Sequence, residues 1–236
     1  MKLLVQFPTL SRPDKFLRCL NTYVDYASGR NEIFFNINCD SSDLTMTDPH
    51  VQERIKYILS KSPSVGGVVN FDNNTDKIDA INAHIDDKEF DIVICASDDM
   101  VPQKSNWDEK ITKAMDKNFP NLDGCVHFND GHTAGKLVTF SILGKKLYEH
   151  FGYIYHPDYK SLYCDDEFTQ EVTRMDKVAY IDEVIITHEH YSIEGTENHG
   201  QLDLAAKKTL FYSGRDGTVF EKRKTLGFPK ERITND

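Results

Sequence analysis

Residues 90–102 read FDIVICASDDMVP. Phe90 to Cys95 is short, rich in β-branched residues and almost wholly apolar, the pattern of a strand buried on both faces. It runs straight into Asp98 and Asp99. Two adjacent carboxylates repel each other and lose hydration at the end of a core strand unless a cation or hydrogen-bond donors meet them. In an open parallel sheet, ligands bind beyond the carboxyl ends of the strands. The stretch therefore predicts both a parallel α/β sheet and the edge at which it works.

Strand and helix signals alternate on the N-terminal side. KLLVQF (2–7), EIFFNIN (32–38) and GGVVNF (66–71) read as strands. Between them, Pro13 opens a helix with Phe16, Leu17, Leu20 and Val24 on one face, and Asp48-Pro49 opens another with Val51, Ile55, Ile58 and Leu59. Thr75 is the expected cap of a third helix carrying Ile78, Ile81 and Ile85. Strands separated by helices predict an α/β fold with a mostly parallel central sheet flanked by helices. Beyond Pro102 the pattern loosens. Trp107, Ile111, Ala114 and Met115 mark a helix, and GCVHF (124–128) and KLVTFSIL (136–143) mark strands around the loop NDGHTAG (129–135). A helix near 145–151, the aromatic loop GYIYHPDYKSLY (152–163), a helix from about Asp166, a strand pair in VAYIDEVIIT (178–187) and a helical tail complete the reading. One domain spanning 1–236 is expected. Residues from about 1–103 are expected to form a nucleotide-type half, about 104–200 an irregular second half and about 201–236 a basic helical tail.

The chain has 236 residues, enough for a sizeable core, and no apolar run approaches the ~20 residues a membrane span needs. Its five cysteines lack any metal-type spacing, and their odd number and scatter fit a reduced, cytoplasmic protein. Net charge is −10, which argues against nonspecific nucleic-acid binding. The charge is uneven. Residues 207–236 hold eight Lys/Arg and four Asp/Glu, so the tail is +4 and the remainder −14. The tail is either a solvated helix or a local partner for phosphate.

Three polar groups fall at predicted strand ends: Pro8-Thr9, Asp40 in NCDSSD (38–43), and Asp98-Asp99. Adjacent carboxylates at such an edge suit Mg²⁺ or Mn²⁺, hard ions that bring phosphate oxygens with them. The competing role is structural, with Asp98 capping a turn and Asp99 merely exposed. His188 and His190 in THEHYS (187–192) alternate, so both face one side only in an extended segment. They are metal ligands or ordinary surface histidines. Asp165 and Asp166 open a helix, where acids commonly cap. Alternatively, one is a general base beside an acceptor hydroxyl, with the preceding aromatic loop as a sugar-binding surface.

Taken together, the segments resemble glycosyltransferases of the GT-A (nucleotide-diphospho-sugar transferase) fold, and among them the inverting family 2, over most of the chain from Leu3 to about Tyr191. FPTLSRP (7–13) resembles the family's opening Pro-Thr-x-x-Arg segment, and NCDSSD its second-strand acidic turn. NNTDKIDAIN (73–82) resembles the stretch with a basic residue and Ala-x-Asn, and CASDDMVP (95–102) the Asp-x-Asp-Asp segment. CDDEF (164–168) resembles the later acidic segment, and THEH (187–190) the C-terminal metal-binding histidine. Ala96 stands where the first Asp of Asp-x-Asp is usual, Asp165 where Glu is usual, and the acidic turn lacks its Gly.

The resemblance implies a sugar moved from a nucleotide-diphosphate donor to an acceptor hydroxyl, on a glycan, a protein or a modified nucleobase, with Mn²⁺ or Mg²⁺ and inversion. Asp40, Thr9 and Lys77 would line the nucleotide, and Asp98 the ribose. Asp99 would hold the metal with His188 or His190, of which His188 is favoured. Asp166 would be the base, with Asp165 close behind. The alternatives are a metal-dependent phosphohydrolase or nucleotidyltransferase, or a catalytically degenerate module that only binds a nucleotide sugar.

Overall fold

The computed structural model describes residues 1–195 and 199–233. Its central sheet has seven strands in the order β3-β2-β1-β4-β7-β6-β8. These are β1 (Lys2–Thr9), β2 (Glu32–Asp40), β3 (Val65–Asp72), β4 (Ile92–Cys95), β6 (Cys125–Phe128), β7 (Ile142–Gly144) and β8 (Val178–Ile181). The β3-β2-β1-β4 half is parallel throughout, as their apolar runs predict. β7 runs antiparallel to both neighbours, and β6 and β8 pair in parallel.

Alternation sends neighbouring side chains to opposite faces of the sheet. In β1, Leu3, Val5 and Phe7 join one core cluster while Leu4 joins the other. In β4, Ile92 and Ile94 go one way and Val93 and Cys95 the other. The first face is covered by α1 (Pro13–Asp25), α2 (Pro49–Leu59) and α4 (Trp107–Asn118). The second is covered by α3 (Lys77–Asn82), α5 (Lys145–Phe151), α6 (Cys164–Arg174) and α7 (Leu204–Thr225). All five cysteines are buried and free. No helix among the described residues is long and apolar enough to cross a membrane.

A line of amides crosses the parallel half on the α3 side. Asn70 donates to the side-chain oxygens of Asn36 and Asn38, both at 2.9 Å. Asn36 donates to Gln6 Oε1 at 2.7 Å, Gln6 to the Ala83 carbonyl at 2.7 Å, and Asn38 to the Ala80 carbonyl at 3.1 Å. Buried amides need such partners, and the carbonyls at the end of α3 need donors. The ladder serves both and fixes α3 against the sheet.

Four local expectations are corrected. The cap of α3 is Asp76, whose carboxylate accepts from the Ile78 and Asp79 amides at 2.9 and 3.0 Å, while Thr75 donates to Asp76 and Asp79 and Ile85 lies beyond the helix. The strand expected over 136–143 is limited to Ile142–Gly144, because Asp130 and Thr169 engage the segment before it through Thr139 and the Val138 amide. The expected strand pair in 178–187 splits between sheets. β8 joins β6, whereas β9 (Ile186–His188) pairs antiparallel with β5 (Met100–Pro102), a strand the sequence does not announce.

The tail, finally, is no solvated helix. Asp216 is fully buried and accepts from the Ser161 and Leu162 amides at 2.7 and 2.9 Å. Arg223 is also fully buried. It bridges Glu167 at 2.7 and 2.9 Å and Asp158 at 2.9 Å, and donates to the Pro229 carbonyl at 2.6 Å.

Candidate active site

The parallel pairing brings the carboxyl ends of β1, β2 and β4 to one edge. Thr9 stands opposite Cys39, with Asp40 next along β2, and Gln6 stands opposite Cys95. The chain leaves β4 through Ala96 and Ser97, delivering Asp98 between two donors. Thr9 Oγ1 donates to one of its oxygens at 2.9 Å and Arg12 Nη1 to the other at 2.9 Å. Burial pushes the Asp98 carboxyl up to about 6, with the neighbouring Asp99 charge adding and Arg12 and Thr9 opposing. Arg12 follows Ser11, a residue in the left-handed region at φ 55°, which turns the chain into α1.

Asp99 is the residue that β5–β9 pairing serves. Met100 lies opposite His188, and the Glu189 amide donates to the Asp99 carbonyl at 2.7 Å. His188 Nε2 sits 3.7 Å from Asp99 Oδ1, and Ser97 Oγ donates to the same oxygen. Burial alone raises a carboxyl. Here His188, the Ser97 hydroxyl, Lys77 and Arg12 outweigh it and hold Asp99 down at about 2. Asp99 is therefore the fixed negative charge of the pair. His190 packs its ring 5.3 Å from that of His188 and hydrogen-bonds Ser192 Oγ through Nδ1 at 2.6 Å. Burial and the cations around it lower its pKa to about 4, against the pull of Asp99, so its ring is neutral at pH 7.

These residues open into a cleft of about 850 Å³, counted with its mouth. Thr9, Asp40, Lys77, Asp98, Asp99 and His190 all line it, which unites six of the sequence candidates in one space. His188 contacts Asp99 but does not itself line the cleft. Asp165 and Asp166 occupy the first turn of α6, after Tyr163 at φ 62°. They are not equivalent. Burial raises both, but Asp165 lies in the field of Lys77 and His188, whereas the charge felt by Asp166 is that of Asp165. Neither lines the cleft itself.

The far wall comes from the tail, with Ala205, Ala206, Lys208, Thr209 and Tyr212 of α7. Its N-cap Asp203 accepts from Arg12 through both oxygens, at 2.7 Å each, so Arg12 ties Asp98 to α7. Lys160 completes the rim, paired with Asp76 at 2.9 Å. Sequence reasoning gave none of these residues a role. Arg12 lay inside a quoted motif, Lys208 had only the charge of the tail as a signal, and Asp203 had none.

Among the described residues no group of three or more His, Cys, Asp or Glu side chains converges on one point. Asp99 and His188 offer two ligands. Their 3.7 Å separation is somewhat wider than the roughly 3 Å between neighbouring ligands of an octahedral ion. Two protein ligands with the remainder from water and phosphate oxygens is the usual arrangement for Mg²⁺-type ions. The donor set fits such an ion.

Neither a protein-family model nor a curated protein matches the sequence. Solved structures do. The mannosyltransferase PcManGT from Pyrobaculum calidifontis, in complex with GDP-Man and Mn²⁺, matches with a TM-score of 0.61 at 12% identity over 79% of this chain and 56% of that one. S. aureus TarS in complex with UDP-GlcNAc matches with 0.59 at 16% identity over 79% and 57%. Glucosyl-3-phosphoglycerate synthase from Mycobacterium tuberculosis, in complex with Mn²⁺, UDP and glucosyl-3-phosphoglycerate, matches with 0.55 at 9% identity over 92% and 80%. The chain thus spans little more than half the length of the first two. The likeness establishes the fold expected from the sequence: GT-A, the nucleotide-diphospho-sugar transferase fold.

Proposed function

We propose that this protein is a glycosyltransferase that moves a sugar from a nucleotide-diphosphate donor to an acceptor hydroxyl, with a divalent ion and with inversion at the anomeric carbon. The observation that carries the reading is the Asp99–His188 pair, 3.7 Å apart, beside a cleft of nucleotide size at the strand ends of a GT-A sheet. Asp40 and Thr9 line the cleft and would meet the nucleoside. Asp98 shapes the ribose position, its own oxygens held by Thr9 and Arg12. Lys77 faces the diphosphate. An Mn²⁺ or Mg²⁺ held by Asp99 and His188 would supply Lewis-acid neutralisation of that diphosphate.

Of the two carboxylates on α6, Asp165 is the better base. Burial raises both carboxyls, but Lys77 and His188 oppose that rise at Asp165, whereas the Asp165 charge adds to it at Asp166. Asp165 takes the proton of the acceptor hydroxyl as its oxygen bonds to the anomeric carbon. The bond from that carbon to the diphosphate oxygen breaks on the opposite face, and its electron pair leaves with the nucleoside diphosphate.

Thermal denaturation with UDP-, GDP-, dTDP- and CDP-sugars, with and without Mn²⁺, tests the reading. A ligand at 100 times its Kd adds about 2.7 kcal/mol, which for a chain of this size raises Tm by about 5–10 °C. One nucleotide class should give that shift, and only with Mn²⁺. No shift with any of the four overturns the proposal.

A further inference from the structure

One wall of the cleft is not made by strand ends. Ala205, Lys208, Thr209 and Tyr212 follow the spacing i, i+3, i+4, i+7, which lies on one face of a helix. That face of α7 looks into the cleft, while Lys207 is exposed on the outside. Ala205 and Ala206, at the start of α7, are small residues of the same lining.

The charges of the cleft do not cancel in pairs. Arg12 is engaged by Asp98 and Asp203, and Lys160 by Asp76. Lys77 and Lys208 line the same space, and among the described residues no carboxylate lies within ion-pair distance of either. Asp40 and Asp99 line the same space and Lys77 acts on Asp99, but no carboxylate holds either ammonium in an ion pair, so both can meet an anion that enters the cleft.

The wall that carries Lys208 is also fixed. The bidentate Arg12–Asp203 contact holds its first turn, the Asp216 carboxylate its middle and the buried Arg223 its end. A lysine on such an element loses less freedom on binding than one on a loop.

We propose that Lys208 is a donor-binding residue: its ammonium meets the diphosphate of the nucleotide donor in the cleft that Lys77 also lines, which makes α7 part of the donor site. The proposal rests on the glycosyltransferase reading and deepens it. A diphosphate gains negative charge as it departs, so a cation aimed at it also favours the transition state.

Calorimetric titration with UDP, GDP, CDP and dTDP, each with Mn²⁺, and with Mn²⁺ alone, tests this on wild type, Lys208→Gln, Lys208→Arg and Lys207→Gln. For the tightest nucleotide, Lys208→Gln should weaken binding about 10- to 100-fold, the range for losing a charge-assisted hydrogen bond. Lys208→Arg should retain most of the affinity and Lys207→Gln all of it. Unchanged Tm and Mn²⁺ affinity in Lys208→Gln would show that its loss is local. A Lys208→Gln affinity within twofold of wild type overturns the assignment. So does an equal loss in Lys207→Gln, which marks a diffuse charge effect. Wild-type protein that binds none of the four nucleotides overturns this proposal and the glycosyltransferase reading together.

Discussion

Replacing Arg223 with Met should be the most damaging single change in the C-terminal region. The side chain is fully buried and its guanidinium makes two bonds to Glu167, one to Asp158 and one to the Pro229 carbonyl. Met fills much of the volume but satisfies none of these acceptors. The two carboxylates do not suffer equally. Asp158 keeps the Ile233 amide at 2.8 Å and Arg232 at 3.4 Å. Glu167 keeps one neutral donor, the Tyr159 hydroxyl at 2.7 Å. Removing one partner of a buried ion pair costs about 3–5 kcal/mol, and Glu167 places the change in the upper part of that range, about 4 kcal/mol. With a urea slope of about 3 kcal/mol/M, the unfolding midpoint falls by about 1.3 M. Urea titration followed by circular dichroism measures it. Lys at 223 should recover only part, because an ammonium cannot span both carboxylate oxygens of Glu167 as the planar fork does. The double variant with Glu167→Gln should recover more than Lys does, because it removes the stranded charge. A loss below about 1 kcal/mol for Arg223→Met, or no recovery in the double variant, refutes the ion-cluster account of how α7 is held.

Asp165→Asn should lower transfer by about 10²–10⁴-fold with donor affinity nearly unchanged, while Asp166→Asn keeps most activity; the reverse outcome in a single-turnover transfer assay would move the base one residue along α6. Asp99→Asn should abolish calorimetrically detected Mn²⁺ binding and leave Tm within a few degrees, and undiminished Mn²⁺ binding would remove Asp99 from the metal site. Acid stability should fall through His156. Burial and Arg223 lower its pKa, and its Nδ1 accepts from the Asp158 amide at 3.1 Å, which requires a neutral ring. A depressed folded pKa means its contribution is fully present above the ordinary value near 6.5 and is lost as pH falls through the folded value. His156→Gln should therefore flatten the decline of Tm between pH 7.5 and pH 5, and an unchanged slope would exclude this residue as its source.

The parallel half of the sheet was legible because its signal is local. A run such as Ile92–Cys95 is apolar at every position, and only burial on both faces explains that. Its strand ends then nominated Thr9, Asp40, Asp98 and Asp99 by a rule of topology rather than of residue type. The β5–β9 ribbon was not legible. Met100–Pro102 and Ile186–His188 are three residues each, and nothing within either announces the other. The choice between Asp165 and Asp166 depends on how the first turn of α6 is rotated, which Tyr163 in the left-handed region sets and no periodicity reports. Arg12, Asp203 and Lys208 escaped for a related reason. A charged residue on a helix reads as solvated until something brings a partner or a cleft to it.

The span of the Arg12–Asp203 contact, 191 positions, bears on how the chain is made. Strands β1 to β4 leave the ribosome long before α7 does. At ~5–20 residues per second, the ~130 residues between Asp99 and Lys230 take on the order of 10 s. For most of that interval the floor of the cleft lacks its α7 wall and Arg12 lacks one of its two carboxylates, and until Ile142–Gly144 is made, about a third of the way through, the sheet edge awaiting β7 is bare. Unpaired strand edges are the sites of misassociation. A ligand of the finished cleft stabilises only the state that binds it, and that state does not yet exist. The nascent chain therefore passes its bare-edge stage beyond the help of its own ligand, which can act only once the last helix has arrived.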